Sequence, residues 1–148
     1  MDTKRAAAAG VIGTAAMTAL LLVEPSIGLP KIAIGEMLSS SMSALSSQTP
    51  MGPAAGWIVD VLLGVVFALV YAGVLDRRLP GSPVVRGLIF GVLVFILAQL
   101  VFAPLTGSGL FSNGDIVLLL GGLLGHLVYG SIVGYVYGDA SRAAAGAP

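Results

Sequence analysis

His126 is the one histidine of the chain, and it lies in the most glycine-dense apolar run, residues 121–138. An imidazole can exchange a proton near neutral pH or bind a metal ion. An ionisable side chain near the centre of a membrane helix is costly, so it is expected to face protein or water rather than lipid. His126 is therefore the first candidate functional residue.

Further polar side chains lie at other depths in the apolar runs. Counted from the outer ends of these runs at about 1.5 Å per residue, Asp60 is roughly 5 Å deep, Thr18 roughly 8 Å and Gln99 roughly 9 Å. Thr14 follows at roughly 14 Å and His126 at roughly 15 Å on the same scale. This series predicts a narrow outward-facing polar cleft, with Asp60 at its mouth and His126 at its floor. A depth difference of about 10 Å is too large for a direct hydrogen bond between Asp60 and His126 unless the spans shift or water intervenes, so no direct ion pair is predicted.

Each of these residues also has a purely structural interpretation. Threonines in membrane helices often bond to their own backbone, and Gln99 can join two helices through a side-chain hydrogen bond. Asp60 fits a solvated carboxylate at the interface, and His126 fits a neutral core histidine bonded to a carbonyl or a tyrosine hydroxyl. The sequence leaves both interpretations open.

The elements that must position these residues follow from composition. Hydrophobic residues make up 57% of the chain, charged residues only 9%, and the mean hydropathy is +1.01, far from the values of a soluble domain. Four apolar runs are each close to the roughly 30 Å thickness of the bilayer core. The prediction is an all-α integral membrane bundle of four antiparallel transmembrane helices in a single domain, 1–142, with a disordered tail, 143–148. The predicted helices are 6–23, 57–75, 87–105 and 116–137.

The flanking charges predict the orientation. Lys31 alone lies in the connections of one side, whereas the other side carries Lys4, Arg5, Arg77, Arg78, Arg86 and Arg142. Because cytoplasmic loops are enriched in Lys and Arg, both termini are expected in the cytoplasm. The first run ends in Leu-Leu-Val-Glu-Pro without a small-x-small cleavage site, so it is interpreted as an uncleaved helix.

The connection 24–56 is too long for a structureless loop in a compact domain. Within it, Ile34, Leu38, Met42 and Leu45 recur at helical spacing. The pattern predicts a short amphipathic helix at about 31–46, which lies at the outer membrane surface or caps the bundle. The alternative is a flexible serine-rich linker.

Small residues at four-residue spacing occur in every predicted helix. Such rows let helix backbones approach closely, which drives helix association in lipid. The polar residue of each helix lies within its row, as expected if polar groups point into the bundle. The predicted packing residues are Gly10, Gly64, Ala68, Gly87, Gly91, Gly122, Gly130, Gly134 and Gly138.

Several classes of site are not supported by the sequence. The chain has no cysteine, which excludes disulfides and thiolate metal ligands. A lone histidine and one distant carboxylate are too few ligands for catalytic zinc. A haem bound by His126 would need a second axial ligand, and Met17 is the only methionine inside a predicted span. No nucleophile, base and orienting residue form a constellation, and no basic cluster indicates nucleic acid. We therefore expect no cofactor, no metal and no enzymatic activity.

The same residues carry a family resemblance. Segments 10–18, 28–30, 56–57, 64–72, 86–91 and Gly-His-Leu-Val-Tyr-Gly at 125–130 together resemble a family of small prokaryotic four-helix membrane proteins of unknown function. A more distant likeness is to inner-membrane proteins associated with acid resistance. The resemblance implies a multi-pass protein of the cytoplasmic membrane. It also implies that relatives often carry histidine where this chain has Asp60, so a two-histidine metal or haem site is doubtful here.

Two functional classes remain. The first is an accessory or structural membrane component, in which the row Gly130, Gly134 and Gly138 meets another helix or another chain. The second is a small proton-responsive transporter or channel that uses the polar cleft, with His126 as the titrating group. The absence of an inverted repeat favours the accessory role slightly. The expected partners are the lipid bilayer and a homo-oligomer or larger membrane complex.

Overall fold

Helices make up all the regular structure in the part of the chain that can be described. The computed structural model describes residues 1–29, 31–46 and 52–145, and only the backbone of residues 44–46 and 139–145. Four helical segments there are long and apolar enough to cross a membrane: Thr3–Ile27, Pro53–Leu75, Pro83–Leu105 and Ile116–Gly138. The predicted all-helical class with four such helices is therefore confirmed.

The described residues form six α-helices and four tighter or wider turns. A 3₁₀ turn, Glu24–Ile27, extends the first helix, and another, Leu110–Gly114, precedes the last. Two π turns, Tyr71–Leu75 and Ala98–Phe102, continue the middle spans. The α-helices are α1 (Thr3–Val23), α2 (Ile34–Ser46), α3 (Pro53–Val70), α4 (Pro83–Leu97), α5 (Ala103–Leu105) and α6 (Ile116–Ala145).

Three spans begin three or four residues before the predicted starts at Ala6, Trp57 and Gly87. Helices α3 and α4 begin with Pro53 and Pro83, and proline suits the first helical position because it lacks the N–H that would have no partner there. Ser82 caps α4, since its hydroxyl accepts from the Val85 N–H at 3.4 Å. Hydropathy marked where the apolar run begins, whereas the caps mark where the helix begins.

The last helix differs from prediction at its end. Helix α6 continues to Ala145, although a disordered tail was expected from residue 143. Alanines at 143–145 are strong helix formers, which explains the extension. Residues 146–148 of the expected tail lie outside the described part of the chain.

The spans pack in the order α3, α1, α6, α4. Helix α1 contacts both α3 and α6, and α6 contacts α4 most extensively. Along α1 and α6, Gly13 lies against Tyr129 and Met17 against Gly125, so residue numbers rise along one helix as they fall along the other. In the α1–α3 and α4–α6 pairs, residue numbers also rise along one helix as they fall along the other. We call the end with the N-terminus and the 76–82 turn the turn end, and the opposite end the loop end.

Glycines make the tightest helix contacts. An added methyl group at Gly87 or Gly130 would overlap the carbonyl oxygen of the other, and one at Gly91 would overlap that of His126. Likewise, a methyl group at Gly10 would lie 2.7 Å from the Gly64 carbonyl oxygen. Close approach of backbones therefore holds α4 on α6 and α1 on α3.

Buried aromatic residues fill the turn end. The Tyr71 ring lies 5.0 Å from that of Phe90 and 6.3 Å from that of Tyr137, and the Phe90 and Tyr129 rings are 6.0 Å apart. All four residues are at most 5% exposed. The α3 and α4 sides of the bundle thus meet through this aromatic cluster at the turn end.

The 76–82 turn is fixed by one arginine. Arg86 Nη1 donates to the Asp76 carbonyl oxygen at 2.7 Å and lies 3.4 Å from its carboxylate, while Nε donates to the Gly81 carbonyl oxygen at 3.0 Å. The Tyr71 hydroxyl donates to the same carboxylate at 3.3 Å. These bonds connect the start of α4 with the end of the preceding span.

Helix α2, which connects the first two spans in the sequence, packs on α3. A methyl group at Gly56 would overlap the Gly35 carbonyl, and one at Gly35 would lie 2.6 Å from the Trp57 indole nitrogen. Gly35 therefore brings α2 against the start of α3, near the loop end.

Candidate functional site

A cavity of about 350 Å³ occupies the loop-end half of the bundle. It arises because α3 and α4 are held together near the turn end but are not packed along their length. Its wall extends from Thr14 on α1 and Tyr129 on α6 to the 31–34 and 106–112 segments at the loop end. Below Tyr129 the aromatic cluster fills the interior, so the cavity ends there.

Four of the five predicted cleft residues line this cavity. Thr14, Asp60, Gln99 and His126 come from α1, α3, the second π turn and α6, so each span contributes one. Because α3 begins at Pro53, Asp60 lies about 10 Å along its helix, and His126 lies about 15 Å from the start of α6. Asp60 is therefore deeper than the sequence indicated, and no described hydrogen bond joins it to His126.

Thr18 is the predicted cleft residue that the cavity wall does not include. It is half-buried on α1, where Met17 and Leu21 line the cavity with Thr14. At about 100° per residue, a step of four rotates Thr18 by roughly 40° from Thr14, whereas Leu21 at seven residues lies within roughly 20°. A row of residues at strict four-residue spacing rotates around the helix, so Thr18 lies off the face of α1 that lines the cavity.

Asp60 and Thr14 present unpaired polar atoms. Asp60 is 9% exposed and Thr14 is 2% exposed. Asp60 Oδ2 and Thr14 Oγ1 have no hydrogen-bond partner among the described residues. A buried polar atom without a partner loses its hydration without compensation, at a cost of about 1–3 kcal/mol. Both atoms are themselves enclosed by protein, and Thr14 Oγ1 faces Gly64 on α3, where an added methyl group would overlap it.

Gln99 lies on a π turn, Ala98–Phe102, within the third span. A π turn inserts one extra residue into the helix and rotates the side chains that follow, and such turns are frequent at functional sites. Gln99 Oε1 accepts a hydrogen bond from the Ser112 hydroxyl at 3.3 Å. Ser112 belongs to three consecutive non-glycine residues, Phe111–Asn113, with φ of 48–52°. This strained turn therefore forms part of the loop-end wall.

His126 is bonded to its own helix. Its Nδ1 lies 2.7 Å from the Gly122 carbonyl oxygen, four residues earlier, and its ring packs edge-on to Phe95 at 5.6 Å. A carbonyl oxygen only accepts, so Nδ1 is assigned the proton and Nε2 of the neutral ring is the acceptor. This bond matches the structural interpretation of His126, while its place in the cavity wall also leaves it available to a ligand.

The predicted packing residues all lie at helix contacts or in the cavity wall. Gly122 lies beside Phe95 and Gln99, and an added methyl at Gly138 would be 2.7 Å from Pro83. Ala68 is fully buried opposite Gly10. Gly130 and Gly134 meet Gly87 of α4, so this part of the glycine row contacts another helix of the same chain.

Glu24 is a polar residue that the sequence analysis missed. It is fully buried after α1, and neither carboxylate oxygen has a partner among the described residues. An added methyl group at Gly121 would lie 3.1 Å from Glu24 Oε2, so the carboxylate packs against the start of α6. It does not line the cavity. Its position before Pro25 suggested a chain exit rather than a buried group.

The geometry offers hydrogen bonds and apolar contacts rather than metal ligation. No group of three His, Asp or Glu side chains within the described ranges could hold a metal ion. Most of the cavity wall is apolar, with contributions from Met17, Leu63, Phe67 and Val94.

Comparison with known proteins identifies a family without an assigned activity. The model of the Family of unknown function (DUF6789) matches residues 1–146. No curated protein and no solved structure matches the chain. The match extends over nearly the whole sequence and confirms the resemblance to an uncharacterised family: the chain belongs to the family of unknown function DUF6789.

Proposed function

We propose that this protein binds a small, mostly apolar molecule inside the membrane, in the cavity between α1, α3, α4 and α6. One observation carries the proposal: a cavity of about 350 Å³ with a mostly apolar wall that also includes Thr14, Asp60, Gln99 and His126. Pockets of roughly 300–1,000 Å³ with apolar walls and a few polar groups are typical small-molecule sites. A packed structural bundle has no need of such a space.

The orientation belongs to the same proposal. The loop end faces the outside of a prokaryotic cytoplasmic membrane, and the antiparallel spans return both termini to the cytoplasm. Lys4, Arg77 and Arg78 at the turn end support this orientation through the enrichment of basic residues in cytoplasmic segments. In this orientation α2 and the 106–112 segment lie over the outer half of the bundle, and the ligand enters from that side.

The accessory role stays an alternative. Its glycine row was expected to meet another helix or another chain, and Gly130 and Gly134 pack on α4 of the same chain. Proton-linked transport stays a second hypothesis, favoured by the position of His126 in the cavity wall. It requires the aromatic cluster at the turn end to open. Loss of pH-dependent flux in proteoliposomes of a folded His126→Ala variant would support it, and unchanged pH dependence would eliminate it.

Binding of n-octanol to the detergent-solubilised protein tests the main proposal. Ala98→Phe fills the cavity, and Ala15→Phe places the same side chain on an exposed face of α1 as a matched control. We expect saturable binding by the wild type and by Ala15→Phe, and its loss in Ala98→Phe. Equal binding by all three would indicate partition at the protein surface, and no binding by the wild type would overturn the proposal.

A further inference from the structure

Three hydrogen-bond acceptors belong to cavity-lining residues on three different helices. Asp60 Oδ2 and Thr14 Oγ1 have no partner among the described residues. His126 Nε2 is the third, because Nδ1 bonds to the Gly122 carbonyl oxygen. Donors are present as well, on the Thr14 hydroxyl and on Gln99 Nε2, while Gln99 Oε1 already accepts from Ser112. Asp60 is the acidic residue of this wall, and its carboxylate only accepts when it is ionised.

Asp60 adds charge to this arrangement. A carboxylate that is 9% exposed and lacks a cationic neighbour is expensive to keep ionised in a low-dielectric interior. The one ion pair among the described residues joins Arg86 and Asp76 at the turn end, so Asp60 has no cationic partner within the bundle. A ligand that brings a positive charge would compensate the cost.

The apolar part of the cavity wall determines what the uncharged part of the ligand must be. Apolar side chains of all four spans surround the polar atoms, among them Met17, Leu63, Phe67, Val94 and Phe102. Burial of hydrocarbon against them would contribute about 25 cal/mol per Å² of apolar surface. The complementary molecule therefore has an apolar body as well as a charged end.

We infer that the cavity takes a primary ammonium compound, with an apolar body against the wall and a protonated amino group on the carboxylate of Asp60. The inference rests on the proposed small-molecule binding and names the class of ligand. A primary ammonium group donates up to three hydrogen bonds and accepts none. This suits the carboxylate of Asp60, which only accepts when it is ionised.

Lys31 opposes such a ligand at the mouth. It is exposed and belongs to the 31–34 segment that contributes to the wall. Its charge is largely screened by solvent, so it weakens the binding of a cation without preventing it. The two charges predict opposite effects: removing Asp60 weakens ammonium binding, and removing Lys31 strengthens it.

Three eight-carbon probes test the inference on the full chain in detergent, with partition into empty micelles subtracted. We expect n-octylammonium to bind about tenfold more tightly than n-octanol, because a charge-assisted hydrogen bond is stronger at low dielectric. Octanoate should bind more weakly than either, because its charge repels Asp60. These wild-type comparisons decide the inference even where a variant fails to fold.

Substitutions assign the preference to Asp60. Asp60→Asn should reduce octylammonium affinity to the level of octanol and leave octanol binding unchanged, whereas Asp60→Glu should retain part of the preference. Lys31→Gln should raise octylammonium affinity about two- to threefold, as expected for a screened charge. Glu24→Gln is the matched control, since it alters a buried carboxylate outside the cavity.

The outcomes separate the two proposals. Equal binding of octylammonium and octanol would overturn the ammonium inference and leave the small-molecule site intact. The same conclusion follows from a preference that persists in a folded Asp60→Asn variant. No saturable binding of any probe by the wild type would overturn both proposals.

Discussion

The Tyr129 phenol on α6 donates a 2.6 Å hydrogen bond to the Gly64 carbonyl oxygen on α3. These two helices are separated by α1 in the packing order. The bond crosses the bundle at the level where the cavity ends and the aromatic cluster begins. It therefore joins two walls of the site that have no extensive backbone contact.

Tyr129→Phe should weaken this connection. The variant removes one buried donor and retains the ring, so we expect a loss of about 0.5–1.5 kcal/mol in the free energy of unfolding. Reversible unfolding in mixed micelles measures it. Tyr135→Phe is the control, because Tyr135 is 57% exposed. Equal stability of both variants and the wild type would show that the Gly64 bond contributes nothing.

Gly130→Ala should destabilise the protein more than Gly122→Ala, although both belong to one glycine row on α6. The added methyl at Gly130 would lie 2.7 Å from the Gly91 nitrogen and would also overlap the Gly87 carbonyl oxygen. At Gly122 it would lie 3.4 Å from a Phe95 ring carbon, an ordinary contact. We expect about 1–3 kcal/mol for Gly130→Ala, from overpacking, and little for Gly122→Ala. The reverse order would contradict the α4–α6 packing.

The contrast between these glycines marks what sequence reasoning could reach. Hydropathy located four helical segments because apolar runs of membrane-spanning length have few other interpretations. Four-residue spacing found small residues that lie at helix contacts, but it could not tell Gly130, which meets a backbone, from Gly122, which meets a side chain. That distinction depends on which helices are neighbours.

The cavity was less accessible to sequence reasoning. The polar residues Asp60, Gln99 and His126 could be selected by type and depth. The separation of α3 from α4, and the π turn that carries Gln99, are tertiary features with no periodic signal. Glu24 was overlooked because its position next to Pro25, at the end of an apolar run, is typical of an exposed chain exit.

Arg86→Gln should loosen the 76–82 turn. The variant loses the bonds from Arg86 to the Asp76 carbonyl oxygen, the Asp76 carboxylate and the Gly81 carbonyl oxygen. Because this contact is partly exposed, we expect a cost of about 1–2 kcal/mol in unfolding free energy. Arg78→Gln, at an exposed position of the same turn, should change stability by less than about 0.5 kcal/mol. Indistinguishable variants would show that the Arg86 bonds do not stabilise the turn.

Glu24→Gln should stabilise the protein by about 1 kcal/mol, since it replaces a buried carboxylate without a partner by a neutral group of the same shape. The unfolding free energy at neutral pH measures the change. Glu36→Gln, on the exposed face of α2, should have no effect. A large destabilisation by Glu24→Gln would show that the carboxylate has a cationic partner in the membrane.

Single cysteines in this cysteine-free chain test whether water reaches the cavity from the outside. In intact cells, a charged, membrane-impermeant thiol reagent should modify Gln99→Cys, since Gln99 lines the cavity. It should spare Ala72→Cys, buried at the turn end, and Leu100→Cys, which is 49% exposed and which the proposed membrane location places against lipid. A thiol must ionise to react, and hydrocarbon does not support the thiolate.

Because Gln99 and Leu100 are adjacent along the chain, a difference in labelling between them reports the face of the helix rather than its depth. Labelling of Ala72→Cys without labelling of Gln99→Cys would indicate the opposite orientation in the membrane. Equal labelling of Gln99→Cys and Leu100→Cys would contradict a cavity enclosed by the bundle.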